Sequence, residues 1–179
     1  MSDIAQAFIT KARALLITDY LPKIERCLEE LSDEDVWWRA NPQSNSIGNL
    51  LLHLQGNVRQ WITSGLGDAP DNRVRQQEFA GHMNQPGVAE LRETLVAVVR
   101  EADGVLASLD SSVMLERRLI QGHDVTILEA VFHVVEHFSM HTGQIILLTK
   151  ICTGGDLAFY DFSTGRPVPR WREAKDVEQ

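Results

Sequence analysis

Apolar side chains recur at helical spacing along four long stretches of the chain. The stretches cover about residues 3–31, 45 or 46–66, 87–109 and 124–152. In each of them the apolar residues lie three or four positions apart, as on one face of an amphipathic helix. The alternation typical of strands is nearly absent, although residues 114–120 could be extended before a turn at Gly122-His123. The pattern predicts an all-α protein, an up-down four-helix bundle.

Breaks in the pattern mark the ends of these elements. Pro22 interrupts the first stretch, which predicts either a kink there or a new helix after Tyr20. A polar connection of about twenty residues, 67–87, separates the second stretch from the third, and a connection of this length is expected to pack or to have a role. We therefore expect one domain over residues 1–155 and an irregular tail over 156–179 that packs on the bundle, with a flexible end.

Composition and charge narrow the class of protein. The chain has 179 residues and a net charge of −8, so it lacks the basic footprint of nucleic-acid binding. The start of the chain has no signal-peptide pattern, and no apolar run approaches the length of a membrane span. Cys27 and Cys152 stand far apart with neither in a CxxC pattern, which suits idle thiols in a reducing compartment. We expect a cytoplasmic protein that binds neither nucleic acid nor membranes.

Histidines on the second and fourth helices are the candidate chemistry. His133, His137 and His141 follow one another at spacings of four, so each step turns by only about 40° and rises about 6 Å. Two successive histidines can therefore aim at one point. His133 and His141 lie too far apart along the helix axis for all three to bind one ion. His53 interrupts an apolar run on the second helix. A single such histidine is usually a core residue.

A histidine pair plus a third histidine on a neighbouring helix is a stronger signal. Three imidazoles and an open fourth position describe a catalytic zinc site, or a site for nickel or a similar borderline ion. A di-iron carboxylate site would need a Glu-x-x-His pattern in each of two helices. His133 has Glu129 four residues before it rather than three, and Glu136 directly precedes His137. The pattern therefore favours histidine ligation.

Two motifs resemble those of the DinB-like (DinB/YfiT-like) superfamily of small metal-binding four-helix bundles. Ser46-Ile-Gly-Asn-Leu-Leu-Leu-His53 is similar to its first ligand helix, and the segment from His133 to Gln144 is similar to its motif H-x-x-x-H-x-x-x-H-R-G-Q. Thr142 stands where that motif usually has arginine, which puts an anion contact there in doubt. The stretch 73–79 resembles one found in an uncharacterised subgroup.

The resemblance implies a ligand set and a function. The ligands would be His53, His137 and His141, with His133 in the core or beside the ligands. Related bundles form homodimers and include thiol-dependent transferases, so the resemblance implies a small-molecule substrate and a low-molecular-weight thiol as cosubstrate. Hydrolysis of a small substrate, or a non-catalytic metal-binding role in stress response, are the alternatives. Asn57 and Gln144 lie near the ligands in sequence, as helpers in the chemistry or as partners in local hydrogen bonds.

Three charged residues lie close together in the 67–87 connection. Arg73, Arg75 and Glu78 are expected to pair with one another on the solvated surface or to recognise an anionic substrate. His82 and His123 are expected in solvated loops.

Overall fold

The computed structural model describes residues 2–80 and 85–171. His82 and the predicted flexible end of the tail, residues 173–179, lie outside the described residues.

The first helical segment changes its hydrogen-bonding pattern just before Pro22 but stays helical throughout. It consists of α1 (Ser2–Ala14), a π-helical stretch (Leu15–Tyr20) and α2 (Leu21–Leu28). Pro22 falls in the first turn of α2, and the π-helical stretch before it takes up the change in register. Tyr20 and Leu21 keep right-handed helical backbone angles, so the helix continues through this point with a local irregularity.

Side-chain caps fix the starts of two later helices. Ser46 accepts a hydrogen bond from Asn49 N and caps α3 (Ile47–Val58), which continues as a π-helical stretch (Arg59–Ser64). Thr126 does the same with Glu129 for α5 (Ile127–Thr153), which ends at Gly154 in a left-handed conformation. Helix α4 (Val88–Ser108) follows Gly87. Short 3₁₀ turns cover Asp35–Trp37, Arg75–Glu78 and Ser111–Val113.

Two small antiparallel sheets accompany the predicted helices. Strands β1 (Arg117–Ile120) and β2 (His123–Thr126) form a hairpin, and β3 (Tyr160–Asp161) pairs with β4 (Val168–Pro169). The hairpin turns at Gln121 and Gly122, both with positive φ, as a tight two-residue turn requires. The molecule is thus mostly helical with a small sheet component. Strands of four residues are too short to show an alternating pattern.

The core lies between the helices. Helix α3 packs against both α4 and α5, and α2 packs against α5. Large side chains such as Leu51, Leu54, Phe138 and Ile145 are fully buried there. Ile151, at the inward positions of the predicted pattern, is instead 54% exposed. The packing of α3 on α5 brings the two histidine-bearing helices side by side.

The described part of the tail contacts the first helical segment. In the tail, Leu157 is buried and accepts a hydrogen bond from Arg26, while Lys23 lies 4.2 Å from the ring centre of Trp171. The domain division at residue 155 stays a prediction.

Among the helices described, none combines the length and the apolar character needed to cross a bilayer.

Candidate metal centre

Helix α3 presents His53 to α5 from a buried position. Its imidazole is 7% exposed. The helix around it is held in place by its own cap, because Asn49 is fully buried and accepts hydrogen bonds from Ser46 and Arg39. His53 therefore projects from a stable part of the helix rather than from a mobile end.

Two members of the histidine ladder on α5 meet His53. The ring centre of His53 lies 4.9 Å from that of His137 and 5.2 Å from that of His141, and the latter two are 4.4 Å apart. His53 Nε2 and His137 Nε2 are 2.9 Å apart. One ring nitrogen from each of the three lies within 4.8 Å of the others. The three histidines are thus close enough to hold a metal ion.

The two ring nitrogens of His141 have different surroundings. Nδ1 lies 2.7 Å from Gln144 Oε1, to which it donates. Nε2 is buried and has no hydrogen-bond partner among the described residues. A buried ring nitrogen without a partner is costly, and a metal ion is a natural partner for it.

Burial keeps His137 and His141 in the neutral form that binds metals. Burial, followed by the nearby His141, His53 and His133, lowers the pKa of His137 to about 3. Burial also lowers the pKa of His141, although its hydrogen bond to Gln144 opposes the shift. Since a metal binds neutral imidazole, His137 and His141 need not lose a proton to bind one at neutral pH.

The donor set and spacing fit a divalent ion. Zinc–nitrogen bonds are about 2.0–2.1 Å, so tetrahedral ligands lie roughly 3.4 Å apart. The observed separations of up to 4.8 Å need only small ring movements to reach that value. Three neutral imidazoles suit zinc, nickel and similar borderline ions, and they leave a further position open.

The third member of the ladder, His133, has other partners. Asn57 Nδ2 donates to His133 Nε2 at 3.2 Å, which occupies the nitrogen lone pair that a metal would need. The ring of His133 also packs 4.2 Å from that of Trp61. Asn57 thus makes a hydrogen bond between α3 and α5, whereas Gln144 makes a local one with His141.

Two charged residues of the 67–87 connection, Arg73 and Glu78, are not on the solvated surface. Arg73 donates to both carboxylate oxygens of Glu78, at 2.7 and 3.0 Å, and both side chains are less than 10% exposed. The predicted pairing is confirmed for Arg73 and Glu78, and the predicted solvation is wrong for these two residues. Arg75 does lie on the surface, over the ring of Phe79.

Glu78 is a site residue that the sequence reasoning did not find. Its Oε2 lies 2.7 Å from His53 Nδ1. Burial alone would raise the pKa of Glu78, but hydrogen bonds from His53 and Arg73 outweigh that effect and lower the pKa below its ordinary value. Glu78 is therefore a buried carboxylate against the back of His53. The unusual length of the connection was the one signal that pointed to such a role.

Comparison with known sequences places the chain in a family. No curated protein matches the chain. One family does match, over residues 3–166, a span that contains all three clustered histidines as well as Arg73 and Glu78. The chain therefore belongs to the family described as "Protein of unknown function (DUF1572)".

Proposed function

We propose that this protein is a DinB-like four-helix bundle that holds a divalent metal ion through His53, His137 and His141. The observation that carries the proposal is the convergence of three imidazoles from α3 and α5 on one point, with a buried nitrogen of His141 that has no partner in the described part of the chain. Four long helical segments, two of which supply the histidines, support the bundle architecture and its extent over residues 1–155.

The proposed activity is the transfer of a small-molecule thiol to an electrophilic substrate. A divalent ion on three imidazoles lowers the pKa of a thiol or a water molecule in its open position and so supplies a nucleophile at neutral pH. The thiolate sulfur then forms a bond to an electrophilic carbon, the leaving group departs with its electron pair, and the thiol proton passes to solvent.

The surroundings of the histidines favour a thiol over water. A metal lowers the pKa of water as well as that of a thiol, but hydrolysis generally also uses a general base or acid beside the metal, whereas a thiolate needs none once the thiol has ionised. Glu78 is the carboxylate that contacts this cluster within the described residues, and Arg73 and His53 already engage both of its oxygens. It is not available as a base, which argues against the hydrolase alternative.

Metal analysis tests the binding site. We expect the purified protein to hold close to one zinc or nickel ion per chain, and the His53→Ala and His141→Ala variants to lose it. His123→Ala is the matched control, because His123 is exposed and lies on the hairpin. Equal metal content in wild type and His141→Ala would contradict the proposed ligand set.

A thiol panel tests the proposed activity. The metal-loaded protein is mixed with a small thiol and chlorodinitrobenzene, and chloride release is followed as the thioether forms. We expect a rate above that of the uncatalysed reaction with at least one thiol, and only the uncatalysed rate with His141→Ala. Stoichiometric metal with no turnover across the panel would leave a non-catalytic metal-binding protein.

The exposed face of α5 supports a homodimer. Phe132, Met140, Leu147 and Ile151 share this face and are each at least half exposed. Exposed Gly143 lies at its middle, and Glu136 and Lys150 lie seven positions to either side of it. An antiparallel pairing of two α5 helices about an axis at Gly143 would set Glu136 of each copy against Lys150 of the other.

The remaining proposals concern the cellular compartment of the protein and its binding partners. The free thiols of Cys27 and Cys152 suit the reducing cytoplasm, and the acidic charge argues against nucleic acid as a partner. The partner that the site favours is a small electrophile together with its thiol.

A further inference from the structure

We propose that the connection between α3 and α4 is a working part of the metal site, with Glu78 as the positioning residue for His53. This inference rests on the proposed metal site and extends it to residues from a third part of the chain. It makes the affinity for the metal depend on a segment that supplies none of the three histidines.

The distances assign the hydrogen on His53. Glu78 Oε2 lies 2.7 Å from Nδ1, and an ionised carboxylate can only accept. If Nδ1 carried no hydrogen, two lone pairs would face each other at that distance. Arg73 Nη2 also lies 3.1 Å from Nδ1, but it donates to Glu78 Oε2 at 3.0 Å, so the shorter contact with the carboxylate decides the assignment. His53 therefore donates from Nδ1, and the lone pair of Nε2 points to the side of His137. A carboxylate behind a histidine in this way fixes its tautomer and makes its free nitrogen a better ligand.

A second layer of contacts holds Glu78 in place. Arg73 donates hydrogen bonds to both carboxylate oxygens of Glu78, and its Nη1 also donates to Gln60 Oε1 at 2.9 Å. Asn49 donates to the backbone carbonyl of Glu78 at 2.8 Å. Gln60 in turn donates to Asp71, whose other oxygen accepts from the backbone of Arg73. The connection is thus tied to α3 at both Arg73 and Glu78.

Zinc affinity in matched variants tests the inference. Glu78→Gln keeps the size of the side chain and removes its charge, and we expect zinc to bind about 10- to 100-fold more weakly, as measured against a chromophoric chelator. Glu101→Gln makes the same charge change at an exposed position of α4 and is expected to leave the affinity unchanged.

A double-mutant cycle separates positioning from general destabilisation. If Glu78 acts through His53, then Glu78→Gln introduced into the His53→Ala variant should change the remaining zinc affinity by no more than about twofold. A loss of affinity as large as that in the wild-type background would overturn the positioning role.

The tautomer of His53 provides a readout that does not depend on the metal. In the metal-free protein, nitrogen NMR of the ring should show hydrogen on Nδ1 and none on Nε2. An amide at position 78 can donate as well as accept, so Glu78→Gln should populate the other tautomer. An unchanged ring spectrum in this variant would overturn the inference.

The outcomes also distinguish this inference from the proposed function. Wild-type protein that fails to bind zinc or nickel would overturn the proposed function, and with it the claim about metal affinity. Wild-type protein that binds zinc, with Glu78→Gln binding equally well, would overturn the positioning role and leave the three-histidine site intact.

Discussion

The carboxylate of Glu78 occupies the space beside Gly56 that any larger side chain would need. A methyl group at position 56 would overlap Glu78 Oε1 and come within 2.8 Å of Arg73 Nε. The connection between α3 and α4 can therefore lie against α3 only because this helix has a glycine one turn after His53. Gly56 costs helix stability, and the packing of the Arg73–Glu78 pair offsets that cost.

Two glycine-to-alanine variants with opposite expected effects test this relationship. Gly56→Ala should lower the free energy of unfolding, because it forces Glu78 and Arg73 apart in a buried place. Gly104→Ala, in the exposed part of α4 with nothing near its Cβ position, should raise it by about 0.5–1 kcal/mol. Urea unfolding measures both values, and stabilisation by Gly56→Ala would contradict the close packing.

Alkaline pH should destabilise the protein through Cys27. Burial, opposed by a hydrogen bond to Thr149, raises the pKa of this thiol to about 11 from about 9. Between those values the unfolded chain loses the thiol proton and the folded protein keeps it, so stability falls as the pH rises. The loss should be on the order of 2 kcal/mol by pH 11.

The variant Cys27→Ala isolates this contribution. Other groups also titrate in the same range, but they are common to both proteins. Urea unfolding at pH 8 and at pH 10.5 should therefore give a smaller drop in stability for Cys27→Ala than for the wild type. Parallel losses in the two proteins would show that the thiol does not ionise on unfolding.

Zinc should distinguish between the members of the histidine ladder. Binding to the folded protein at a concentration 100-fold above its dissociation constant adds about 2.7 kcal/mol to stability. His141→Ala should lose this increment, whereas His133→Ala should keep it, because Asn57 already occupies the ring nitrogen of His133. Thermal melts with and without zinc measure the difference. If His133→Ala lost the increment and His141→Ala kept it, the metal site would lie one turn earlier on α5 than proposed.

Local patterns explain how much of this fold could be predicted from the sequence. The predicted starts near residues 45 or 46 and 124 lie within a few positions of the observed caps, Ser46 and Thr126, because a cap uses partners only three positions away. The helical spacing of His137 and His141 likewise places two imidazoles on one side of α5 without any knowledge of the tertiary structure. Their proximity to His53 then follows from the packing of α3 on α5.

Contacts between distant parts of the chain were beyond such patterns. Glu78 lies 25 residues from His53, in a segment without periodicity, so no spacing rule connects the two. Isolated charged residues in a polar connection normally face water, and burial of the Arg73–Glu78 pair depends on the gap left by Gly56. The extended stretch over 114–120 and the turn after it were predicted, whereas the second strand of the hairpin, His123–Thr126, was not, because four residues are too few to show an alternating pattern.

The exposed side of α5 leads to a prediction about assembly. Ile151 belongs to the apolar pattern of this helix but is 54% exposed, as are Leu147 at 59% and Phe132 at 57%. If a second copy covers this face, then Leu147→Asp buries a charge in the interface and should convert the dimer to monomers. Light scattering after size exclusion should give twice the 20.1 kDa chain mass for wild type and the single chain mass for the variant.

Leu119→Asp is the matched control for this experiment. Leu119 is 77% exposed on the hairpin, so the same substitution there places a charge in water and should leave the dimer intact. A charge reversal at Glu136 adds a sharper test, because it would face Lys150 of the other copy. Glu136→Lys should weaken the dimer, and Glu136→Lys combined with Lys150→Glu should restore it. A monomeric wild type would contradict the pairing, and a failure of the double reversal to restore the dimer would contradict its antiparallel register.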